Sequence, residues 1–211
     1  MSILLELHYF PSVQYFSKLL AYPNVFIEQH ENYLKGSYRN RCHIAGANGL
    51  QRLSIPLKRG KNEQLSIRDV RISYDENWQS QHWISIRSAY GRAPFFEYFA
   101  DEIQPFFEKK PNFLFDWNWD LLMLMVDLLQ LDTDIQQTTQ YEKQTSSEIF
   151  DFRNGIFPKK QRQKEDGLFT PVAYPQVFKE RHGFLANLSI LDLLFCTGPQ
   201  ASLILEQCVT R

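Results

Sequence analysis

Ser2-Ile3-Leu4-Leu5-Glu6-Leu7-His8-Tyr9-Phe10-Pro11-Ser12, followed beyond Pro23 by Val25-Phe26-Ile27, decides the fold class. Residues 2–9 read as a strand, Pro11 interrupts it, and Ser12 stands where a helix N-cap belongs. Val13, Phe16, Leu19 and Leu20 then recur at helical spacing until Pro23 ends the helix, and Val25 opens a second strand. Strand, tight turn, helix, strand is the smallest parallel crossover, so the spacing predicts an α/β fold. Further on, Arg41 to Ala45 and Leu50 to Leu57 alternate about Gly46-Ala47-Asn48-Gly49, whose Asn-Gly pair suits a turn with positive φ and predicts a β-hairpin.

Helices dominate the rest. Ser73 and Glu76 have capping-box spacing before a helix that gathers Trp78, His82, Ile86, Ala89 and Tyr90 on one side, with Gly91 closing it. Pro94 starts another, burying Phe95, Phe96, Phe99 and Ile103 until Pro105. Residues 112–131 read as a central helix, apolar apart from a stripe of Asn112, Asp116, Asp120, Asp127 and Gln130. Residues 136–147 are polar and aperiodic, which predicts a connector. Residues 159–167 form a charged run ending in Gly, read as a mobile surface loop. Leu188 to Phe195 and Gln200 to Val209 read as two closing helices split by Thr197-Gly198-Pro199. The expectation is one α/β domain over 1–211: an N-terminal βαβ unit and hairpin, then a mainly helical C-terminal half, with residues 73–131 able to form a helical subdomain.

Composition narrows the class. The chain has 211 residues, 44% of them hydrophobic, and a net charge of −1, which excludes a disordered chain and argues against sequence-independent nucleic-acid binding. Cys42, Cys196 and Cys208 are odd in number and form no CxxC pair, so neither a disulfide framework nor a zinc knuckle is indicated. The longest apolar run, Leu121 to Val126, is far short of the roughly 20 residues that span a bilayer, and the first ten residues carry no signal-peptide core. A cytoplasmic protein without direct membrane insertion is expected. Seventeen Phe, ten Tyr and four Trp exceed what a core is expected to hold, which points to aromatic side chains lining a groove.

No GxGxxG, GxxxxGK[ST], GxSxG or HExxH pattern occurs, so dinucleotide, P-loop, hydrolase-elbow and zincin readings lose their support, and no cofactor or metal is implied. The most concentrated signal is Tyr33-Leu34-Lys35-Gly36-Ser37-Tyr38-Arg39-Asn40-Arg41. Its three cations have the donor chemistry to clamp phosphate or carboxylate, with the tyrosines packing a ring, although Lys and Arg also guard an exposed edge strand. His82 is the acid-base candidate because its pKa lies near neutrality, yet a lone His on an apolar helical face is also an ordinary core residue. His8, Tyr9, Phe10 and Tyr15 fall at the carboxyl end of the first strand, where parallel sheets hold ligands, or pack the first helix. Cys42 and His43 point to opposite faces of a strand and cannot act as a pair. Asp116, Asp120 and Asp127 read as the wet side of a helix, and Asp192, three residues after Ser189, as a capping residue.

The ordered set His8-Tyr9-Phe10-Pro11, Tyr33-x-Lys35, Asn40-Arg41, Leu53-Ser54-Ile55-Pro56-Leu57-Lys58, Trp78-x3-His82, Tyr90-Gly91-Arg92-Ala93-Pro94-Phe95-Phe96 and Leu188 to Leu194 resembles the WbqC-like family over nearly the whole chain. That resemblance implies a part in making or decorating surface polysaccharide, because members are encoded in O-antigen gene clusters, and a glycine-transferring role has been suggested for some. His8 stands where relatives tend to have Gln, and Cys42 where many carry a second Asn. The expected activity is acyl or aminoacyl transfer, glycyl included, onto an activated sugar, with His82 catalytic and Tyr9, Tyr15, Tyr33, Lys35, Arg39, Asn40, Arg41, Tyr90 and Arg92 binding a small phosphate- or carboxylate-bearing substrate. A non-catalytic module recognising a nucleotide-sugar or a partner protein is the rival expectation. No oligomeric state is implied.

Overall fold

The structure is a computed structural model, and it describes residues 2–58 and 62–210. The opening crossover forms as its sequence predicts. β1 (Ser2–Glu6) leads through α1 (Val13–Ala21) to β2 (Asn24–Glu28), paired in parallel with Ser2 opposite Asn24 and Glu6 opposite Glu28. Ile3, Leu5, Val25 and Ile27 are fully buried together with Val13, Phe16 and Leu19 of α1. Ser12 occupies the N-cap position, but its hydroxyl makes no cap bond. The turn before it is held in an unusual conformation, with buried Phe10 at φ 38°.

The hairpin is β3 (Arg41–Gly46) and β4 (Gly49–Ser54), closed by Ala47-Asn48 with Gly49 at φ 100°. The helical half follows as α2 (Trp78–Tyr90), α3 (Phe96–Ile103) and α4 (Leu114–Leu128). Ser73 does not cap α2: its hydroxyl bonds Asp75 at 2.7 Å, and Asn77 stands at the cap without a side-chain bond. The short polar segment before the helix satisfies itself as a turn, so the capping-box spacing was misleading.

Residues 136–147 are only partly a connector. β5 (Asp134–Gln137) pairs in parallel with β2, and β6 (Ile149–Asp151) in parallel with β1, giving a four-stranded sheet ordered β5-β2-β1-β6. Asp134 and Gln136 on this edge strand are exposed, so no apolar alternation marks it and the backbone ladder alone makes the strand. The chain ends with α5 (Lys179–His182), α6 (Ile190–Thr197) and α7 (Ala201–Gln207), the last two packing on α1.

The aromatic excess goes mainly into the core, contrary to the composition-based expectation of a lined groove. Trp117 meets Trp78 edge-on at 6.0 Å and Phe107 at 6.3 Å, and Tyr9, Phe10, Tyr15, Phe16, Tyr90 and Phe195 are all fully buried. Among the described residues the exposed large aromatics are Tyr98, Tyr141 and Phe150.

Gly198 stops α6 at φ 54° with the Phe95 ring packed where a Cβ would project. Gly198→Ala should therefore combine left-handed strain with overpacking and destabilise by about 1–3 kcal/mol, read as a lower urea midpoint at unchanged slope. Gly167, with open space around it, serves as the control: its Ala variant should move stability by less than about 0.5 kcal/mol.

Candidate functional site

Charge collects at the carboxyl ends of the parallel strands, the edge where α/β sheets hold ligands. Glu6 ends β1, Glu28 ends β2 and Asp151 ends β6. Arg153 joins the last two, Nη1 to Glu28 at 2.8 Å and Nη2 to Asp151 at 2.7 Å. Arg39 is wholly buried, giving Nε and Nη2 to the Glu31 carboxylate at 2.7 and 2.6 Å and a further bond to Asn154 Oδ1 at 3.0 Å. Asn154 adopts φ 56°, which turns its own N–H onto Glu6 at 2.8 Å. Burial opposes charge on Glu6, but the neighbouring His8, Arg39 and Asn154 amide outweigh it and hold the carboxyl down at about 2. His8 sits 2.8 Å from Glu6 through Nε2, and burial lowers its pKa against the pull of the Glu6 carboxylate. Most charges of this cluster are tied to internal partners, although His8 Nδ1 and Arg39 Nη1 are buried without a hydrogen bond and Glu28 borders a small cavity of about 180 Å³.

The hairpin offers a different surface. Strand alternation sends Cys42 inward, where burial drives its thiol far upward, and leaves its neighbours Arg41 and His43 half-buried on the other face. The antiparallel register sets Arg52 directly opposite His43, and Ser54 opposite Arg41. Directly opposed side chains start roughly 5 Å apart at Cβ, so Arg41, His43 and Arg52 form one patch. Neither arginine makes an ion pair among the described residues. The His43 pKa is lowered by burial and by both guanidinium groups, leaving a neutral imidazole between two cations at neutral pH. Its Nδ1 lies 3.2 Å from the Tyr38 hydroxyl, whose pKa burial pushes up to about 12, and the Tyr38 ring also packs on His8 at 5.5 Å. Tyr38 thus joins the ion-paired cluster to the hairpin face.

The expected site residues divide sharply. Arg41 is half-buried, and Lys35 and Arg92 are exposed. Tyr33 is buried, with its hydroxyl near enough to Arg39 and Arg41 to favour their charge. Asn40 is buried and gives Nδ2 to the Ile55 carbonyl at 2.9 Å. Tyr15 bonds the Glu6 carbonyl at 2.9 Å, and Tyr90 accepts the Ala45 N–H at 3.0 Å, both as core ties rather than pocket walls. Arg39 points into Glu31 instead of outward, so the three-cation clamp is not assembled.

His82 is placed inside the packing, edge-on to Trp78 at 5.1 Å. Its Nδ1 lies 3.0 Å from the Tyr9 hydroxyl, a Ser54 backbone group bonds the ring, and burial lowers its pKa to about 4. His82 is thus buried and partnered within the core packing rather than open to a cleft. Asp192 is no capping residue either. It is fully buried, and its Oδ2 accepts from Tyr174 and Gln176 at 2.7 Å each, while the Ser189 hydroxyl caps α6 alone.

From sequence, His43 enters only as a discarded partner for Cys42, and Arg52 does not enter at all. Counting hairpin register outward from Ala47-Asn48 would have found them, because it sets His43, Arg52 and Arg41 on one face. Among the described residues no group of three His, Cys, Asp or Glu side chains is arranged to hold a metal, and no helix is long and apolar enough to cross a membrane.

Fold and site together define an α/β protein with an ion-paired parallel sheet edge and an arginine-histidine hairpin face. The family model described as "WbqC-like protein family" matches residues 7–161, and the chain belongs to that family. It is also 25% identical over 232 residues to the uncharacterized protein Rv1507c of Mycobacterium tuberculosis (strain ATCC 25618 / H37Rv), covering 97% of each chain. No solved structure matches it.

Proposed function

We propose that this protein is a group-transfer enzyme that holds the phosphate or carboxylate of a small activated substrate on Arg41 and Arg52 and uses His43, rather than His82, as the proton acceptor. The observation that carries this reading is a neutral imidazole flanked by two guanidinium groups without carboxylate partners. With Nδ1–H donated to the Tyr38 oxygen, Nε2 is free to take a proton. The acceptor's amine or hydroxyl attacks the activated carbonyl carbon, its proton passes to Nε2, and the leaving group departs with the bonding pair while an arginine holds its charge. Acyl or aminoacyl transfer onto a sugar of surface polysaccharide extends the family resemblance.

The test is mass spectrometry of the purified protein mixed with acyl thioesters, amino acids and nucleotide-sugars. His43→Ala should lower turnover about 100-fold or more, and Arg41→Ala should weaken substrate binding by a factor of ten or more, roughly the worth of one charge-assisted bond. Full turnover in both folded variants would sink the assignment. Saturable binding with no covalent change in any mixture would favour the binding module instead.

A further inference from the structure

Two cavities lie along the outward side of α2 and meet at Ser88 and Ala89. One, of about 570 Å³, runs under the hairpin turn and reaches Arg52. The other, of about 760 Å³, contains Arg87 and Arg92 and is walled by Pro175 and Phe178. Their far wall is tied to the hairpin, since His182 of α5 bonds the Ala47 carbonyl at 3.0 Å and its ring lies 6.4 Å from that of Phe178. Both volumes are in the range of small-molecule sites.

The charge pattern is one-sided. Arg87 and Arg92 are exposed and, like Arg52, make no ion pair among the described residues. No carboxylate lines either cavity. Side chains small enough to admit a chain of atoms, Gly46, Ala47, Ser85, Ser88 and Ala89, floor the passage between the two arginine groups. From Ile84 to Gly91 the helix advances roughly 10 Å. A ligand that fits must be extended and anionic at the Arg87 end, with a flat apolar portion for Phe178.

We infer that this groove binds the nucleoside diphosphate that carries the acceptor sugar, with the diphosphate on Arg87 and Arg92, the base against Phe178 and Pro175, and the sugar directed along the groove to Arg52. Arginine forks match phosphate oxygens, and a base stacks on an aromatic ring whatever its identity. The inference rests on the transfer reading for what the carrier delivers, but its test reads binding alone. Isothermal titration with UDP, ADP, inorganic pyrophosphate and uridine should show saturable binding of at least one nucleotide and binding of pyrophosphate about tenfold weaker or more. Arg87→Ala with Arg92→Ala should weaken the nucleotide about tenfold or more, as loss of charge-assisted bonds requires, and Ser88→Trp should abolish binding by filling the passage. His43→Ala should bind the nucleotide as tightly as the parent. No saturable binding of either nucleotide, equal binding of pyrophosphate, or indifference to both groove variants would overturn the inference while leaving the His43 assignment to stand or fall on turnover. Nucleotide binding that needs Arg87 and Arg92, in a protein whose His43→Ala variant keeps full turnover, would uphold the groove and sink the catalytic reading.

Discussion

Replacing Arg39 by Ala should destabilise the protein by about 3–5 kcal/mol, the usual result of removing one partner from a buried ion pair. Arg39 is fully buried, bonds Glu31 twice, and lies 4.0 Å from Glu6. Without it two carboxylates face each other across a dry site. Burial already raises the Glu31 pKa against the pull of Arg39, so the loss would come from the uncompensated charge left behind. Arg39→Lys should recover little, because an ammonium cannot reproduce the two-pronged bond to Glu31 together with the bond to Asn154. Arg41→Ala is the contrast. Two residues away in sequence, Arg41 is half-buried beside Arg52 and His43, so its removal should change stability by less than about 0.5 kcal/mol. Urea unfolding of the three variants measures both effects. If Arg39→Ala and Arg41→Ala unfold at the same midpoint, the division of this segment into a structural and a ligand-facing arginine is wrong.

The second large effect concerns pH. Unfolded, His82 takes up its proton near the ordinary 6.5, whereas in the fold burial delays protonation to about 4. Between those values the unfolded chain binds more protons, so stability falls as pH falls through that window, by about 3 kcal/mol for this side chain alone. His8 and His43 are shifted in the same direction, and Glu6, held at about 2, adds a loss at still lower pH, below its ordinary 4.5. His82→Gln keeps a polar partner for the Tyr9 hydroxyl but has nothing to titrate. Its stability should decline about 3 kcal/mol less than the parent's between pH 6.5 and 4, measured by urea unfolding at a series of pH values. Parallel curves for parent and variant would show that His82 is not the buried neutral group described above, and would return it to the list of catalytic candidates.

Elements whose side chains carry their own periodic signal were legible in the sequence. The β1–α1–β2 crossover follows from Pro11 and Pro23 punctuating apolar runs, the hairpin from Asn48-Gly49, and the buried side of α2 from Trp78, His82, Ile86, Ala89 and Tyr90. Edge strands were not. Asp134-Ile135-Gln136-Gln137 becomes β5 only because β2 presents an unpaired ladder beside it, and that information belongs to another part of the chain. Ser73-Glu76 and Ser189-Asp192 share the capping-box spacing, yet Ser73 turns to Asp75, and of the second pair only Ser189 caps, because Asp192 meets Tyr174 and Gln176. Spacing names the residues able to meet and says nothing of competing partners.

The candidate site shows the same limit more strongly. From residues 33–41 alone, Lys35, Arg39 and Arg41 are equivalent cations, and Arg39 is separated from Arg41 only by Glu31, Glu6 and Asn154 folding around it. By itself the sequence determined the α/β class, the hairpin and the family, because local propensity, turn chemistry and ordered motifs are properties of neighbouring residues. Tertiary structure alone decided which charges are internal ties and which stay without an ionic partner, since burial and partner choice depend on groups brought together from distant segments. His43 and Arg52, nine positions apart in the chain and opposite in the hairpin, become one chemical unit only when that turn closes.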